Sequence, residues 1–209
     1  DSGGPLHAIV HGAPGSDKIA AIIHGKAAHA GANPEDGINA ILIAAQAIAG
    51  MPLGRIDEVT TANIGMIEGG QAVNIVPDRV QIRGETRSHD EAKLVAQTMA
   101  IRAALESAVA AHPGARLELD IERTYSSYRL GPETPLLRRI AQTLAEMGEP
   151  EPVWRLVGGG SDANVFNANG LTAVPISTGM SSVHTNDEFI VIDDMVKSAE
   201  FLRRMIEHT

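Results

Sequence analysis

The 209-residue sequence contains no cysteine, which excludes disulfides, thiolate nucleophiles and cysteine-ligated zinc within this chain. Any metal that the chain binds must therefore be held by histidine, aspartate or glutamate side chains. Because disulfides are typical of oxidising compartments, the absence of cysteine also fits a cytoplasmic protein, which is the location we expect.

Aromatic residues, basic charge and long apolar runs are also scarce. Aromatics make up 3% of the residues, so the core must be aliphatic. The 17 Lys and Arg residues against 26 Asp and Glu residues leave a net charge of −9, which argues against a general nucleic-acid or anionic-membrane surface. No apolar run approaches the roughly 20 residues of a membrane span. We therefore expect neither a nucleic-acid partner nor a membrane partner.

Hydrophobic spacing and capping residues predict five helices. They cover about 35–50, 90–111, 133–147 and 161–169, and the last begins at Asp193. The inward stripe predicted for the first helix consists of Ile38, Ile41, Leu42, Ala45 and Ile48. The stripe predicted for the last helix consists of Met195, Ala199, Leu202 and Ile206.

Two kinds of strand are predicted. Apolar and polar residues alternate in 79–87 and 116–121, which is typical of strands in a sheet with one solvent-exposed face. Two further strands are predicted at 19–23 and 60–67. The order strand, helix, strand, strand, helix, strand predicts a ferredoxin-like α+β domain at 18–121. The apolar segment Thr172–Ser177 instead suggests a strand buried on both faces. We therefore expect an α/β domain formed by 1–17 and 122–209, with the α+β domain inserted.

Two of the eight histidines occupy positions suited to chemistry. His184 lies in a glycine- and serine-rich loop after the predicted buried strand, followed by acids at Asp187 and Glu188. It is either a metal ligand whose second ring nitrogen is held by a carboxylate, or a loop histidine that caps a turn. His29 is surrounded by small residues, which either leave its imidazole accessible or allow tight packing.

A glycine loop precedes the fourth predicted helix. Gly158, Gly159 and Gly160 lead into Ser161 and Asp162, so backbone N–H groups and a helix N-terminus can approach an anion. No Gly-Lys-Ser/Thr follows, which excludes a phosphate loop and favours a carboxylate ligand. The alternative is a flexible strand-to-helix turn with an Asp cap.

Six motifs, in this order and spacing, resemble one family over nearly the whole chain. They are Asp1–Pro5, 26–31 with 34–40, 73–78, 83–88, 158–162 and 183–188. The family is that of the co-catalytic zinc peptidases and deacylases, which includes peptidase T, carboxypeptidase G and aminoacylase. The glycine run and the His-Thr-Asn-Asp-Glu loop look most like the peptidase T-like branch. The chain is similar to the C-terminal part of such a protein.

This resemblance implies a role for each matching residue. Asp1 and His184 match metal ligands of a site that holds two zinc ions, or another divalent metal such as cobalt or manganese. His29 matches a lid histidine that donates a hydrogen bond to the developing oxyanion. Asn74 matches a lid residue that contacts substrate. The backbone of Gly158, Gly159 and Gly160 matches a cradle for the substrate carboxylate, for which Arg87 is a second candidate.

The sequence departs from the family pattern in two places. Where relatives carry an arginine at the second lid hinge, this chain has 125–128, Tyr-Ser-Ser-Tyr, flanked by Arg123 and Arg129. The group that clamps the carboxylate therefore stays open. The family's His-x-Asp motif, bridging Asp and Glu-Glu pair do not occur here, and two ligands cannot hold two metal ions.

The resemblance implies a zinc-dependent exopeptidase that acts on small peptides, of the tripeptidase type. The alternatives are an N-acyl amino-acid deacylase or carboxypeptidase of the same family, and a non-catalytic dimerisation module. We expect a homodimer formed through the lid or dimerisation domain at 18–121. We also expect the 209-residue chain by itself to be inactive.

Overall fold

A computed structural model describes residues 3–207, so predictions that concern Asp1 lie outside the described residues. The elements follow in chain order, with a 3-10 turn at Pro34–Asp36 before α1. They are β1 Ala8–Ala13, β2 Gly15–His24, α1 Ala40–Ala49, β3 Gly54–Arg55, β4 Thr60–Gly69, β5 Arg79–Ser88, α2 Glu91–Ala110, β6 Arg116–Tyr125, β7 Tyr128–Arg129, α3 Pro135–Glu146, β8 Val153–Leu156, α4 Asp162–Ala168 and α5 Ile192–Glu207.

The chain divides into two compact units. One unit is Gly15–Ser126, and the other combines the residues up to Pro14 with those from Ser127 onward. The chain thus passes between the units twice, at Pro14–Gly15 and at Ser126–Ser127. None of the helices in 3–207 has the length and apolar character needed to cross a membrane.

The unit Gly15–Ser126 is a five-stranded antiparallel sheet covered by two helices. The strand order is β3-β4-β5-β2-β6, and β2 pairs along its whole length with β5 and with β6. Inward side chains of β2 and β5 pack against α1 and α2 to form an aliphatic core. The element order strand, helix, strand, strand, helix, strand agrees with the sequence prediction, with the short β3 added at one edge.

The prediction for α2 is confirmed. The predicted face of α1 is wrong at Ile41, Leu42 and Ala45, whereas Ile38 and Ile48 do pack against the core. The helix α1 begins at Ala40, where the Asn39 side chain accepts a hydrogen bond from the Leu42 N–H at 3.0 Å. The buried residues of α1 are Ala40, Ile43, Ala44 and Ala47. Ile41 and Leu42 are 43% and 49% exposed. Because the helix is apolar on every side, spacing alone does not identify its buried face.

The other unit contains a three-stranded sheet of order β7-β1-β8, in which β1 pairs antiparallel with β7 and parallel with β8. The helices α3 and α5 pack together and enclose a cluster around Ile9, Leu137, Ile140 and Phe201. The capped start of α4 at Ser161 agrees with the sequence prediction.

Thr172–Ser177 was predicted to be a strand buried on both faces, and this prediction is wrong. The segment makes only isolated bridges, one of them between Ile9 and Ile176. Pro175 lacks the N–H that a central strand must donate. Most of the segment is partly exposed, and Ser177 alone within it is fully buried.

The predicted inward stripe of α5 is also wrong. Ser198 and Phe201 are the buried residues of this helix, and the Ser198 hydroxyl donates to the Thr178 carbonyl at 3.1 Å. Met195, Leu202 and Ile206 are 50%, 44% and 72% exposed, and Ala199 is exposed as well. The helix thus carries two apolar stripes, and the one that contains Phe201 packs against the described core.

Candidate functional site

His29 and Asn74 lie on two loops that run side by side. The Ala30 N–H donates to the Asn74 carbonyl at 2.9 Å, and the Val76 N–H donates to the Ala28 carbonyl at 2.9 Å. His29 forms an isolated antiparallel bridge with Ile75. Both His29 and Asn74 are exposed, so the structure brings together two candidate residues that are far apart in the sequence.

The local backbone determines which nitrogen of the His29 ring carries the proton. The Gly31 and Ala32 N–H groups both point at the His29 Nδ1, at 3.2 and 3.1 Å. Because an N–H donates, Nδ1 must be the acceptor, and the neutral ring therefore carries its proton on Nε2. His29 thus presents a hydrogen-bond donor at the outer end of an exposed imidazole, which is the group that an oxyanion requires.

A groove of about 560 Å³ lies beside this pair of loops. Ala30, Ile41, Val73 and Ile75 contribute to its lining. Val73 is fully exposed, and Ile41 and Ile75 are more than one-third exposed. The loop that carries His29 therefore lies next to a surface with unusually accessible apolar side chains.

His184 lies at the turn of a strained loop. Its φ angle is 66° and that of Ser182 is 53°, values in the left-handed region that non-glycine residues rarely adopt. The loop is closed by the Ser181–Phe189 backbone pair, and the His184 N–H donates to the Glu188 carboxylate at 2.8 Å. Glu188 therefore shapes the backbone of the loop, and the exposed imidazole of His184 stays at the surface.

The segment that follows Asp1 packs on this same loop. The Gly4 N–H donates to the Met180 carbonyl at 2.9 Å, and the Gly179 N–H donates to the Gly4 carbonyl at 2.9 Å. A Cβ added to Gly3 would come within 3.0 Å of Val183, the neighbour of His184. Gly3 therefore lies close to the candidate ligand, whereas Asp1 itself lies outside the described residues.

Residues 3–207 do not complete a metal site by themselves. No group of three or more histidine, aspartate or glutamate side chains in this range could hold a metal ion. His184 is the described member of the predicted ligand pair, and a catalytic zinc needs about three protein ligands. A dinuclear centre therefore requires donors beyond those described here.

The glycine loop and the His184 loop are anchored at opposite ends of β1. Leu156 at the end of β8 pairs with Gly12, after which Gly158, Gly159 and Gly160 are exposed. The His184 loop is anchored at Gly4, which precedes β1. The six residues of β1 span about 20 Å. The structure therefore anchors these two candidate groups at opposite ends of one strand.

Of the candidate carboxylate clamps, Arg87 already has a partner. Its Nη2 donates to the Glu85 carboxylate at 2.9 Å, and this hydrogen bond raises the pKa of the Arg87 guanidinium. Arg123 is bound to Asp17 and Glu91. Arg129 is exposed on β7. A substrate carboxylate would have to compete with the carboxylates that already bind Arg87 and Arg123.

Sequence patterns assign no role to two residues near the glycine loop, Tyr128 and Asn164. Burial raises the pKa of Tyr128 to about 12, and its hydroxyl has no hydrogen-bond partner among residues 3–207. Asn164 is 1% exposed and bonds both to Ser161 and to the carbonyl of Pro14. The spacing Ser161-x-x-Asn164 is a capping-box signal in the sequence, whereas the bond to Pro14 follows from the fold.

Comparison with known proteins identifies the class. Residues 11–113 match the family model described as a peptidase dimerisation domain, and this segment is similar to the dimerisation domain of M20 peptidases. The aminopeptidase PepT of Bacillus cereus has a TM-score of 0.90 and 40% identity over 99% of this chain. A tripeptidase of Staphylococcus aureus has a TM-score of 0.90 and 33% identity, also over 99% of this chain.

The match to a curated relative covers a similar share of that protein. The protein YqjE of Bacillus subtilis is 44% identical over 207 residues, which are 99% of this chain and 55% of YqjE. The two solved structures are covered to 55% and 54% of their chains. The chain therefore spans about half the length of the relatives that it matches.

Proposed function

We propose that this chain is part of a zinc-dependent exopeptidase that hydrolyses small peptides, with tripeptides as the preferred class. The observation that carries the proposal is the His29 ring, whose Nδ1 is occupied by the Gly31 and Ala32 N–H groups, leaving an exposed Nε2 donor. The likeness to a tripeptidase at 33% identity supports the substrate class.

The described residues contribute hydrogen bonding and orientation. His29 donates to the oxyanion of the tetrahedral intermediate, an effect worth about 3–4 kcal/mol for a single donor. Asn74, held beside His29 by the Ala30 N–H bond, contacts the substrate. The Gly158–Gly160 backbone binds the substrate carboxylate, and Arg87 is the second candidate for that role.

We attribute the metal-dependent chemistry to the full-length protein. Asp1 and His184 are the ligands that this chain would offer to two zinc ions, or to cobalt or manganese, together with donors from outside the chain. The packing of Gly3 against Val183 supports this pairing. Bound zinc would polarise the substrate carbonyl and lower the pKa of the attacking water.

We also propose that the α+β domain is a ferredoxin-like lid and dimerisation domain, and that the remaining residues form part of the catalytic α/β domain. Sequence patterning places the boundaries at 18–121, against 1–17 and 122–209. The sheet order β3-β4-β5-β2-β6 and the match to a dimerisation domain support this division.

Deacylation of N-acyl amino acids is the second candidate function. The indole-3-acetyl-aspartic acid hydrolase of Enterobacter agglomerans is 30% identical over 187 residues, which are 82% of this chain. The bond that such an enzyme breaks is also an amide in a substrate that carries a carboxylate, so the same donor and the same cradle would serve both reactions. Substrate choice is therefore the point that needs an experiment.

Side-by-side turnover separates the two functions. We expect the full-length protein with zinc to hydrolyse tripeptides with a kcat/KM at least about tenfold above that for N-acyl amino acids. The 209-residue chain alone should show no turnover. Preference for acylated amino acids would favour the deacylase, and zinc-dependent hydrolysis by the chain alone would contradict the expected need for outside ligands.

The exposed apolar side chains of α1 and β4 are the proposed dimer surface. Ile41, Leu42, Met66 and Ile67 are between 43% and 52% exposed. A Cβ at Gly70, just after β4, would contact Ile41 at 3.4 Å, so the helix and the end of the strand lie side by side. Pairing of two such surfaces would bury apolar area that is otherwise exposed to solvent.

A charge placed on this surface should prevent dimer formation. We expect Leu42→Glu combined with Ile67→Glu to give a monomer at concentrations where the unsubstituted protein is a dimer, because two carboxylates would be buried without partners. Light scattering after size exclusion measures the mass. The control is Met99→Glu on α2, where the side chain is equally exposed at 50%. A mass unchanged by the double substitution would argue against this surface.

A further inference from the structure

A cavity of about 300 Å³ lies beside the C-terminal half of α3. Ala141 and Ala145, one turn apart on α3, line it together with Trp154 of β8. The other lining residues belong to the segment between the helix and the strand, and they are Glu149, Pro150, Glu151 and Pro152. All of these residues lie in the same compact unit. The cavity therefore combines one aromatic side chain, two small side chains and two carboxylates.

The end of α3 sets the position of Glu149. Gly148 has a φ angle of 73°, and its N–H donates to the Ala145 carbonyl at 3.0 Å. The Glu149 N–H donates to the Leu144 carbonyl at 3.0 Å. These two hydrogen bonds form a Schellman motif, in which glycine is favoured because its φ angle is positive. The capped helix end therefore holds the backbone of Glu149 at the edge of the cavity.

The rest of the cavity wall is also rigid. Pro150 and Pro152 each fix a φ angle, which limits the conformations of this short segment. Trp154 is partly buried against the aliphatic core of the unit. Its ring makes an edge-on contact with His11, with the ring centres 6.1 Å apart. The cavity is therefore formed before any ligand binds, which lowers the entropy cost of binding.

The charges at the cavity favour a cation. The Lys197 Nζ donates to the Glu149 carboxylate at 3.1 Å, and this hydrogen bond raises the pKa of Lys197, with Asp194 and Asp193 adding to the shift. Glu151 is exposed, and its carboxylate has no ion pair or hydrogen bond with any residue in the described range 3–207. One carboxylate of the cavity therefore already holds a cation, and the other is unoccupied.

We propose that this cavity binds the side chain of an arginine residue in a short peptide, with the guanidinium against the Trp154 indole and donating to Glu151. A guanidinium is planar and weakly hydrated, so it stacks on an aromatic ring and also forms paired hydrogen bonds with a carboxylate. Ala141 and Ala145 leave room for the apolar stem of the arginine. The proposal does not rest on the proposed peptidase activity, because binding requires only residues of this unit.

Trp154 is the single tryptophan of the chain, so its fluorescence in the 209-residue chain reports directly on the cavity. The probe is N-acetyl-arginine amide, in which the guanidinium is the only charge. The control ligand is N-acetyl-citrulline amide, which has nearly the same shape and no charge. We expect a saturable fluorescence change with the arginine probe. The citrulline probe should bind at least about tenfold more weakly, because it cannot form a charge-assisted hydrogen bond.

Two substitutions test the lining residues. Glu151→Gln removes the unpaired carboxylate and keeps the shape of the side chain, so the affinity for the arginine probe should fall about fivefold. Ala145→Leu fills the cavity without changing the charge and should abolish binding, while leucine preserves the helix. The matched control is Glu133→Gln, which removes an exposed carboxylate from the segment before α3 and should leave the affinity unchanged.

Equal affinity for the two probes would overturn the proposal, as would a titration with the arginine probe that shows no saturable change. Binding by E151Q and A145L that matches the unsubstituted chain would also overturn it. An equal loss of affinity in E133Q would mean that the net charge of the unit attracts the probe, which contradicts a specific cavity. Circular dichroism checks that each variant is folded. If A145L does not fold, E151Q and the citrulline probe still decide between the outcomes.

Discussion

Replacing His29 by alanine should lower kcat for peptide hydrolysis by about 10²- to 10³-fold in the full-length protein, because a single oxyanion donor is worth that much. KM should change little, because the donor acts on charge that develops in the transition state. Steady-state kinetics with a tripeptide measures both constants. The His29→Gln variant keeps a donor amide on a shorter, differently shaped side chain and should recover part of the loss.

The control is His112→Ala in the same unit, where the imidazole bonds to Gln46 at 2.8 Å and lies on neither of the loops described above. This variant should keep both kinetic constants. If His29→Ala raised KM and left kcat unchanged, His29 would contact the substrate in its ground state, and the assignment as oxyanion donor would be wrong.

The proton position can be checked in the 209-residue chain. Long-range 15N–1H correlation spectra distinguish the two neutral histidine tautomers. The Gly31 and Ala32 contacts require the His29 proton to be on Nε2. The opposite tautomer would place a proton between Nδ1 and two N–H donors, which geometry does not allow.

Local patterns in the sequence located most elements but not the pairing of distant strands. The alternation in 79–87 predicts β5, and helical spacing predicts α2, whose buried residues include Leu94, Ile101 and Leu105. The strand β1 shows no such pattern, because His11 and Gly12 interrupt its apolar residues. It is held by β8, far along the chain, and by the His11 bond to the Leu130 carbonyl at 2.9 Å.

In the candidate site, too, local sequence predicts some features and not others. Small neighbours and the family motif identify His29 and Asn74, but the sequence does not reveal that their loops are joined by the Ala30 N–H. Nor does it show that Arg123, which flanks the hinge, is already paired with Asp17 across two strands. Candidate functional residues can be identified from local sequence. Whether their hydrogen-bonding groups already have partners depends on contacts between distant segments.

That pairing of Arg123 leads to the prediction with the largest effect on stability. Asp17 is buried, with a side chain 6% exposed, and it accepts hydrogen bonds from Arg123 Nε at 2.5 Å and Thr98 Oγ1 at 2.7 Å. Arg123 also donates to Glu91 at 2.6 Å, which connects the end of β6 to the start of α2. The network lies where β2 begins and β6 ends, next to both connections between the units.

Arg123→Leu leaves the Asp17 carboxylate buried without its counter-charge. We expect the unit Gly15–Ser126 to lose about 3 kcal/mol of unfolding free energy, at the low end of the range for broken buried pairs because Arg123 is one-third exposed. Urea denaturation that is monitored by hydrogen exchange in β2 and β5 isolates the unfolding transition of this unit.

The control is Arg102→Leu, which removes a cation that faces Glu106 at 3.9 Å on the surface of α2 and should cost less than about 1 kcal/mol. Adding Asp17→Asn to Arg123→Leu removes the unpaired charge while keeping a polar partner for Thr98, so the double variant should be more stable than Arg123→Leu alone. A double variant that is less stable than Arg123→Leu would mean that the charge on Asp17 is not the source of the loss. The cost would then come from the missing contacts of the Arg123 side chain with Glu91 and the sheet.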